Sequence, residues 1–231
     1  FRRLVSAGGR GARGNRGLGQ PAVGAYTVRP TPFQLQQPMN AVTHPFERIS
    51  VDDYLLGEQQ TDIKHEYLDG QVVAMGGASR AHGLLVMSLS ALLLPAARQK
   101  HCQLFAADMK LRLDHDGASY FYYPDLVLSC DPADRDPLFV RTPCLLVEVL
   151  SPSTERIDTR EKLFAYRLLP SLREYLLLRQ DTLHAELYQR RDDGGWTHQR
   201  LKQPDDAFSL LCLQVSVSLR DIYADIPELM G

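Results

Sequence analysis

The sequence predicts an α/β (α+β) domain, a mixed β-sheet flanked by helices. Three observations predict the layered part of it. Cys144–Leu150 (CLLVEVL) is apolar on both faces except at Glu148, which describes a central strand covered on both sides. Ala81 to Arg98 carries Leu85, Leu89, Leu92 and Leu93 on one helical face. Several segments alternate with period two between Asp–Gly turns.

The elements follow in order. Ile49–Leu56 reads as a short helix, with Ser50 as N-cap and Asp52 and Asp53 in its first turn. His65–Met75 (HEYLDGQVVAM) reads as a hairpin about Asp69–Gly70. Ser79 caps the helix from Ala81, and Pro95 should end or kink it. Cys102–Leu113 reads as one strand, with Phe105, Ala107, Met109, Leu111 and Leu113 on one face. Asp108, Lys110 and Arg112 lie on the other. Asp116–Gly117 is a turn, and Tyr120–Cys130 (YFYYPDLVLSC) reads as a further strand, with Pro124 at its start or at a bulge. A polar, proline-rich loop spans Asp131–Pro143, and Ser151–Thr154 punctuates the chain after the central strand. Asp158–Leu168 then forms a helix, stopped by Pro170. Glu174–Leu178 is a strand, Leu183–Tyr188 and Trp196–Leu201 a hairpin about Asp193–Gly194, 208–217 a last strand and Leu219–Ala224 a terminal helix.

Composition sets further bounds. With 231 residues, 44% hydrophobic and 23% charged, the chain can bury a core without staples. No run of eighteen apolar residues occurs, so no bilayer span is expected. Cys102, Cys130, Cys144 and Cys212 lie far apart, with no CxxC pair, and read as reduced core thiols of a cytoplasmic protein. Residues 1–38 hold seven of the 16 glycines and six of the 26 basic residues, without Asp or Glu. They read as a disordered arm or non-native upstream sequence; the rival readings are a basic nucleic-acid arm or an organelle presequence. Met39 is the first methionine, and 39–231 reads as a single domain. That part keeps 20 of the 26 basic residues against 28 acidic ones, a net charge near −8. A sequence-independent DNA binder is normally basic, so a DNA-binding role requires a locally positive surface.

Glu148 is the residue with the strongest chemical signal. An ionised carboxylate on an apolar strand costs several kcal/mol unless it is ion-paired or bound to metal. Asp125 follows Pro124 one strand earlier. Two carboxylates on neighbouring strands repel, and a divalent cation relieves them. All-oxygen ligation suits Mg²⁺ or Mn²⁺, which can polarise a phosphoryl oxygen and acidify a water. Without the metal, at least one of the two carboxylates should carry a raised pKa. The structural alternatives are a buried ion pair for Glu148 and an Asx turn for Asp125. A cation is expected nearby to meet the charge of a phosphorane. Lys110 and Lys162 both qualify. Asp158, Lys162 and Tyr166 are four apart and share a helix face, so a solvated Asp158–Lys162 pair is the structural alternative there.

The stretches HEYLDGQVVAMGGASRAHG, FAADMKLRL, YPDLVL and LLVEVLSPSTERIDTREKLFAYRLLPSLREYLLL together resemble the Uma-type restriction endonuclease family, over roughly Ile49 to Tyr188. The resemblance implies a restriction-endonuclease-like, PD-(D/E)XK-type fold with Asp125 and Glu148 as the acidic pair. It implies Glu66, in HEYLDG, as a third acid near the metal, and His82 as a matched position near the start of the first long helix. It further implies Mg²⁺ or Mn²⁺ as cofactor, DNA as partner and a homo-oligomer, a dimer for choice. One departure stands out. Two residues after the glutamate, where a lysine is usual, the chain has Leu150. The lysine must then come from elsewhere, with Lys162 the first candidate and Lys110 the second.

No GxGxxG, P-loop, GxSxG or HExxH motif is present. Gly76–Gly77 before Ser79 fits a strand-to-helix turn better than an anion site. Tyr120–Tyr123 fits core packing better than a base-stacking platform. Three functional classes therefore stand: a metal-dependent DNA phosphodiesterase, a catalytically silent nuclease-fold module that binds nucleic acid or protein, and a structural protein with Glu148 in a buried ion pair.

Overall fold

The structure, a computed structural model, describes residues 48–151, 155 and 157–230. The arm of residues 1–38 and most of the Ser151–Thr154 punctuation lie outside the described residues. Helix α1 is Val51–Glu58, with Ser50 accepting from the Asp53 amide as N-cap. Strands β1 (His65–Leu68) and β2 (Gln71–Ala74) form the expected hairpin. Asp69 (φ 48°) and Gly70 (φ 96°) both take the left-handed conformation that a tight two-residue turn needs. Gly70 has a second reason to lack a side chain: a Cβ there would come within 2.8 Å of the Arg48 side chain.

Helix α2 (Arg80–Gln99) starts at the Ser79 cap. Pro95 does not end it. Its ring faces solvent, where water can take over the one carbonyl left without an intrahelical donor. The buried stripe is Leu85, Leu89, Leu93 and Ala97; Leu92 lies off it, on the exposed side. Among the described helices α2 alone is long and apolar enough to cross a membrane by length and composition. Here that stripe packs in the core.

Three segments that read as single strands are each broken. Residues 102–113 divide into β3 (Gln103–Ala106) and β4 (Lys110–His115), which join different sheets. The break is a tight turn with Ala107 at φ 60°, whose amide donates to the Asp125 carbonyl at 3.0 Å. Residues 120–130 likewise divide into β5 (Ala118–Tyr122) and β6 (Leu126–Ser129). Pro124 has no N–H to donate to a ladder at that point. Within the expected loop 131–143 a two-residue strand, β7 (Phe139–Val140), pairs parallel to β4. Strand β8 is Pro143–Leu150, β9 Glu174–Arg179, β10 Ala185–Arg190 and β11 Trp196–Leu201. The last strand expected over 208–217 is a hairpin, β12 (Ala207–Leu210) and β13 (Val215–Ser218), turning at Gln214 (φ 56°). A four-residue helix α4 (Leu219–Ile222) follows.

The mixed-sheet, helix-flanked architecture is present, but divided between two mixed sheets and the β12–β13 hairpin. One sheet has the order β2-β1-β5-β4-β7 and the other β11-β10-β9-β8-β6-β3. Strands β8 and β9 are parallel. Their connection must therefore cross the sheet, and it does so as a π-helical turn (Ile157–Lys162) running into α3 (Leu163–Arg167). Side chains on β8 alternate. Leu145, Val147 and Val149 join the core under α2, while Leu146 and Leu150 join the core under α3. Parity places Glu148 on the α3 face.

The cysteines correct the expectation of reduced thiols. Cys102 pairs with Cys130 and Cys144 with Cys212. The first pair flanks the paired strands β3 and β6, where Gln103 faces Ser129. The second ties the central strand to the β12–β13 turn. The paired Cα atoms lie 4.2 and 6.1 Å apart, both below the roughly 7 Å beyond which a bridge cannot close. The cysteine-based ground for a reducing cytoplasmic setting falls away with this pairing.

Candidate active site

Leu126 pairs with Val147, and that register carried one step further sets Asp125 beside Glu148. The Asp125 carboxylate closes the gap itself: Oδ2 accepts from the Val149 amide at 2.6 Å. Its Oδ1 lies 2.9 Å from Nε2 of His82, in the first turn of α2. This hydrogen bond raises the His82 pKa, against the opposing effect of burial.

Glu148 is buried, and the crossover helix supplies its partners. Tyr166 donates its hydroxyl to Oε1 at 2.9 Å and Lys162 its ammonium to the same oxygen at 3.1 Å. The ammonium also lies 3.2 Å from Asp158 Oδ1 and 3.0 Å from Glu66 Oε1 on β1. Thus the shared helix face read from the sequence is real, but it is turned inward. The Asp158–Lys162 pair is buried rather than solvated. Tyr166 is wedged edge-on between Tyr122 and Tyr175, and the Tyr175 hydroxyl donates to the Asp158 carbonyl at 3.1 Å. The π-helical turn widens the backbone just where Asp158 and Lys162 point in.

Burial first, then the neighbouring acids, push the Glu148 pKa well above the ordinary carboxylate range, with Lys162 opposing. One carboxylate of the pair thus has the expected raised pKa, although burial rather than mutual repulsion is the chief cause. Burial alone would discharge Lys162, but Glu148, Glu66 and Asp158 outweigh it and hold the ammonium protonated. Burial and the adjacent Glu148 also raise the Tyr166 pKa, so its hydroxyl remains a donor.

The structure separates the two lysine candidates. Lys162 joins the carboxylates; Lys110 does not. Lys110 lies on the α1 side, its ammonium 5.2 Å from the ring centre of Tyr123. Asp108 is exposed and ion-paired with Lys64, away from the carboxylates, because the turn at Ala107 removes it from the β4 face that the alternation predicted. Asp125, Glu148, Glu66, Lys162, Asp158, Tyr166 and His82 form one connected set.

The donor set suits a hard divalent cation in kind. All the acids offer oxygen, and Glu66 Oε1 is buried without an aligned hydrogen bond, although Lys162 lies 3.0 Å away. Among the described residues, however, no group of three or more His, Cys, Asp or Glu side chains is arranged to hold a metal ion. The charge-balancing position among Glu148, Glu66 and Asp158 is taken by the Lys162 ammonium.

One buried acid went unnoticed in the sequence. Glu174, fully buried, accepts from the amides of Leu211 and Cys212 at 2.7 and 3.0 Å and from Gln189 at 2.8 Å. It pins the β12–β13 turn, a structural task. Its position at the head of an apolar strand, like that of Asp125, was the available signal.

The restriction-endonuclease-like α+β fold thus carries a buried cluster of acids, lysine and tyrosine. The family model "Putative restriction endonuclease", Uma2, matches residues 51–221, and the chain belongs to that family. Two uncharacterized proteins of Synechocystis sp. are similar to it. One is 36% identical over 180 residues, covering 78% of this chain and 93% of the relative. The other is 34% identical over 150 residues, covering 64% and 84%. The crystal structure of a "putative nuclease belonging to DUF820" from Anabaena variabilis shares the fold, with a TM-score of 0.61 at 13% identity. That likeness covers 76% of this chain and 98% of the other.

Proposed function

We propose that this chain is a Mg²⁺- or Mn²⁺-dependent endonuclease that hydrolyses DNA phosphodiester bonds with an activated water. The observation that carries the reading is the convergence of Asp125, Glu148 and Lys162 from three separate elements. The crossover helix returns a lysine to Glu148 although Leu150 replaces the usual one. Asp125, Glu148 and Glu66 would hold the metal, which when bound supplies Lewis-acid polarisation and an acidified water.

The chain's own residues do the rest. Lys162, kept protonated by its acids, offers a fixed positive charge to the developing phosphorane oxygens. Tyr166 orients the Glu148 carboxylate, and His82 with the Val149 amide orients that of Asp125. The same reading includes a homodimer, so that both strands of a duplex are cut.

The catalytically silent module is the second reading. Its support is that Lys162 already compensates the acids and that the charge outside the arm is acidic. The deciding experiment incubates plasmid DNA with Mg²⁺ or Mn²⁺ and compares wild type with Glu148→Gln and Asp125→Asn. The endonuclease reading requires nicking by wild type and its loss in both variants, with far-ultraviolet spectra unchanged. Full activity in either variant would sink the assignment.

A further inference from the structure

Beyond α3, the sheet face that carries Glu148 continues onto β10 and the edge strand β11. Glu148 pairs with Leu177, Leu177 with Glu186, and Glu186 with Arg200. Arg200 is therefore level with Glu148, three interstrand steps or about 14 Å away. Parity puts Glu186, Tyr188 and Arg190 of β10 on this face, opposite Arg200, His198 and Trp196 of β11. Tyr188 and Trp196 pack with the core under α3, and the His198 ring stacks on Tyr188 with centres 4.3 Å apart.

Charge on this face is unbalanced. Arg167 follows the Tyr166 that reaches Glu148, and its guanidinium lies 5.4 Å from the ring centres of both Tyr188 and Trp196. Its Nε is buried without a hydrogen-bond partner, and among the described residues no carboxylate pairs with it. Arg190 lies 4.8 Å from the Trp196 ring centre and donates to the carbonyls of Leu172, Arg167 and Leu169 at 2.8–2.9 Å. Those neutral acceptors close the end of α3 but leave the charge of Arg190 unmatched. Burial and then Arg173 lower the Arg190 pKa, with no acid opposing. Arg173 meets Asp192 at 3.7 Å, on a fully exposed side chain. Arg200 meets Glu186 at 3.6 Å, but that carboxylate already accepts from Tyr188 and contacts His184 and His198. The neighbouring Arg191 is matched by Asp193 at 3.0 Å. Four guanidiniums, of Arg167, Arg173, Arg190 and Arg200, thus face two carboxylates, of Glu186 and Asp192.

A guanidinium stacked on aromatic rings keeps its N–H donors in plane and open to an oxyanion. Forks spaced along an exposed edge strand match the repeating phosphates of a nucleic-acid backbone. We infer that Arg167, Arg190 and Arg200 line a track along β11 that holds phosphates of the DNA backbone flanking the cut. This inference rests on the endonuclease reading and supplies the locally positive surface that an otherwise acidic chain needs. One helix then serves both tasks, with Tyr166 turned toward Glu148 and Arg167 toward the track.

The test measures binding of a labelled DNA duplex to the full chain across a salt series, with Ca²⁺ in place of Mg²⁺. Wild type is compared with Arg167→Gln, Arg200→Gln and, as a control at the exposed end of α2, Arg98→Gln. Loss of one phosphate contact should weaken binding of all sequences alike. It should lower the log–log salt slope by about 0.9 in Arg167→Gln and in Arg200→Gln. Arg98→Gln should leave the slope unchanged. Arg200, whose side chain is 64% exposed, decides the matter should Arg167→Gln not fold. Normal binding and cleavage by wild type, with unchanged slopes in both track variants, overturns the track and leaves the endonuclease reading standing. An equal loss in Arg98→Gln also overturns the track, since any surface charge would then serve. Failure of wild type to bind DNA in Ca²⁺ or cut it in Mg²⁺ overturns both. Saturable binding of a glutamate-rich peptide that Arg167→Gln weakens, with DNA slopes unchanged, would mark a surface for an acidic protein and overturn the nucleic-acid assignment.

Discussion

Lys162→Met would remove one charge from the most crowded electrostatic site in the molecule while keeping most of the aliphatic stem. Glu148, Glu66 and Asp158 would lose an ammonium now 3.0–3.2 Å from each. Breaking a buried pair by deleting one partner costs about 3–5 kcal/mol, because the remaining charge is left uncompensated. For a urea m-value of roughly 2 kcal/mol/M, the unfolding midpoint should fall by about 2 M. The pH dependence carries a definite sign. The folded pKa of Glu148 is raised, so the folded state binds more protons there, and stability falls as pH rises from the ordinary value of 4.5 through the raised value. Lys162 opposes that fall. Its own folded pKa lies above 10.5, so its contribution is complete below 10.5 and is lost only above that. The gap between variant and wild type should therefore widen from about pH 4.5 upward and persist through neutrality. Urea melts at acid and at mildly alkaline pH measure both quantities. Equal midpoints at neutral pH, or a gap independent of pH, would refute the claim that Lys162 balances these acids.

Other consequences follow from the same contacts. Tyr166→Phe keeps the edge-on packing but removes the hydrogen bond to Glu148, so it should cost about 1.5–3 kcal/mol in equilibrium unfolding. Glu174→Ala would strand the amides of Leu211 and Cys212 and should destabilise by about 3 kcal/mol or more, with the DNA-cleavage rate of the folded fraction retained. Removing the Cys144–Cys212 bridge, which closes 68 residues, by the double change Cys144→Ser and Cys212→Ser should cost about 4 kcal/mol, read as a lower guanidinium midpoint. Chelation after loading with Mn²⁺ should lower the thermal midpoint of wild type but leave that of Glu148→Gln unmoved.

Much of this molecule was legible because local physics is written locally. The Asp69–Gly70 hairpin, the Ser79 cap, the Leu85–Leu89–Leu93 stripe and the doubly covered strand around Glu148 all follow from spacing and backbone preference. The shared face of Asp158, Lys162 and Tyr166 follows from helical geometry alone, and so does the demand that Glu148 find a partner. Tertiary structure decided what alternation cannot encode. Ala107 takes a left-handed conformation because the Asp125 carbonyl holds its amide, so an unbroken apolar–polar pattern splits between two sheets. That break, together with the parallel crossover from β8 to β9, sends Lys162 to the acids and Lys110 to Tyr123, two lysines that spacing could not tell apart. The cysteine pairings were equally unreadable, since separations of 28 and 68 residues become bridging distances only when strands and turns far apart in the chain are packed together.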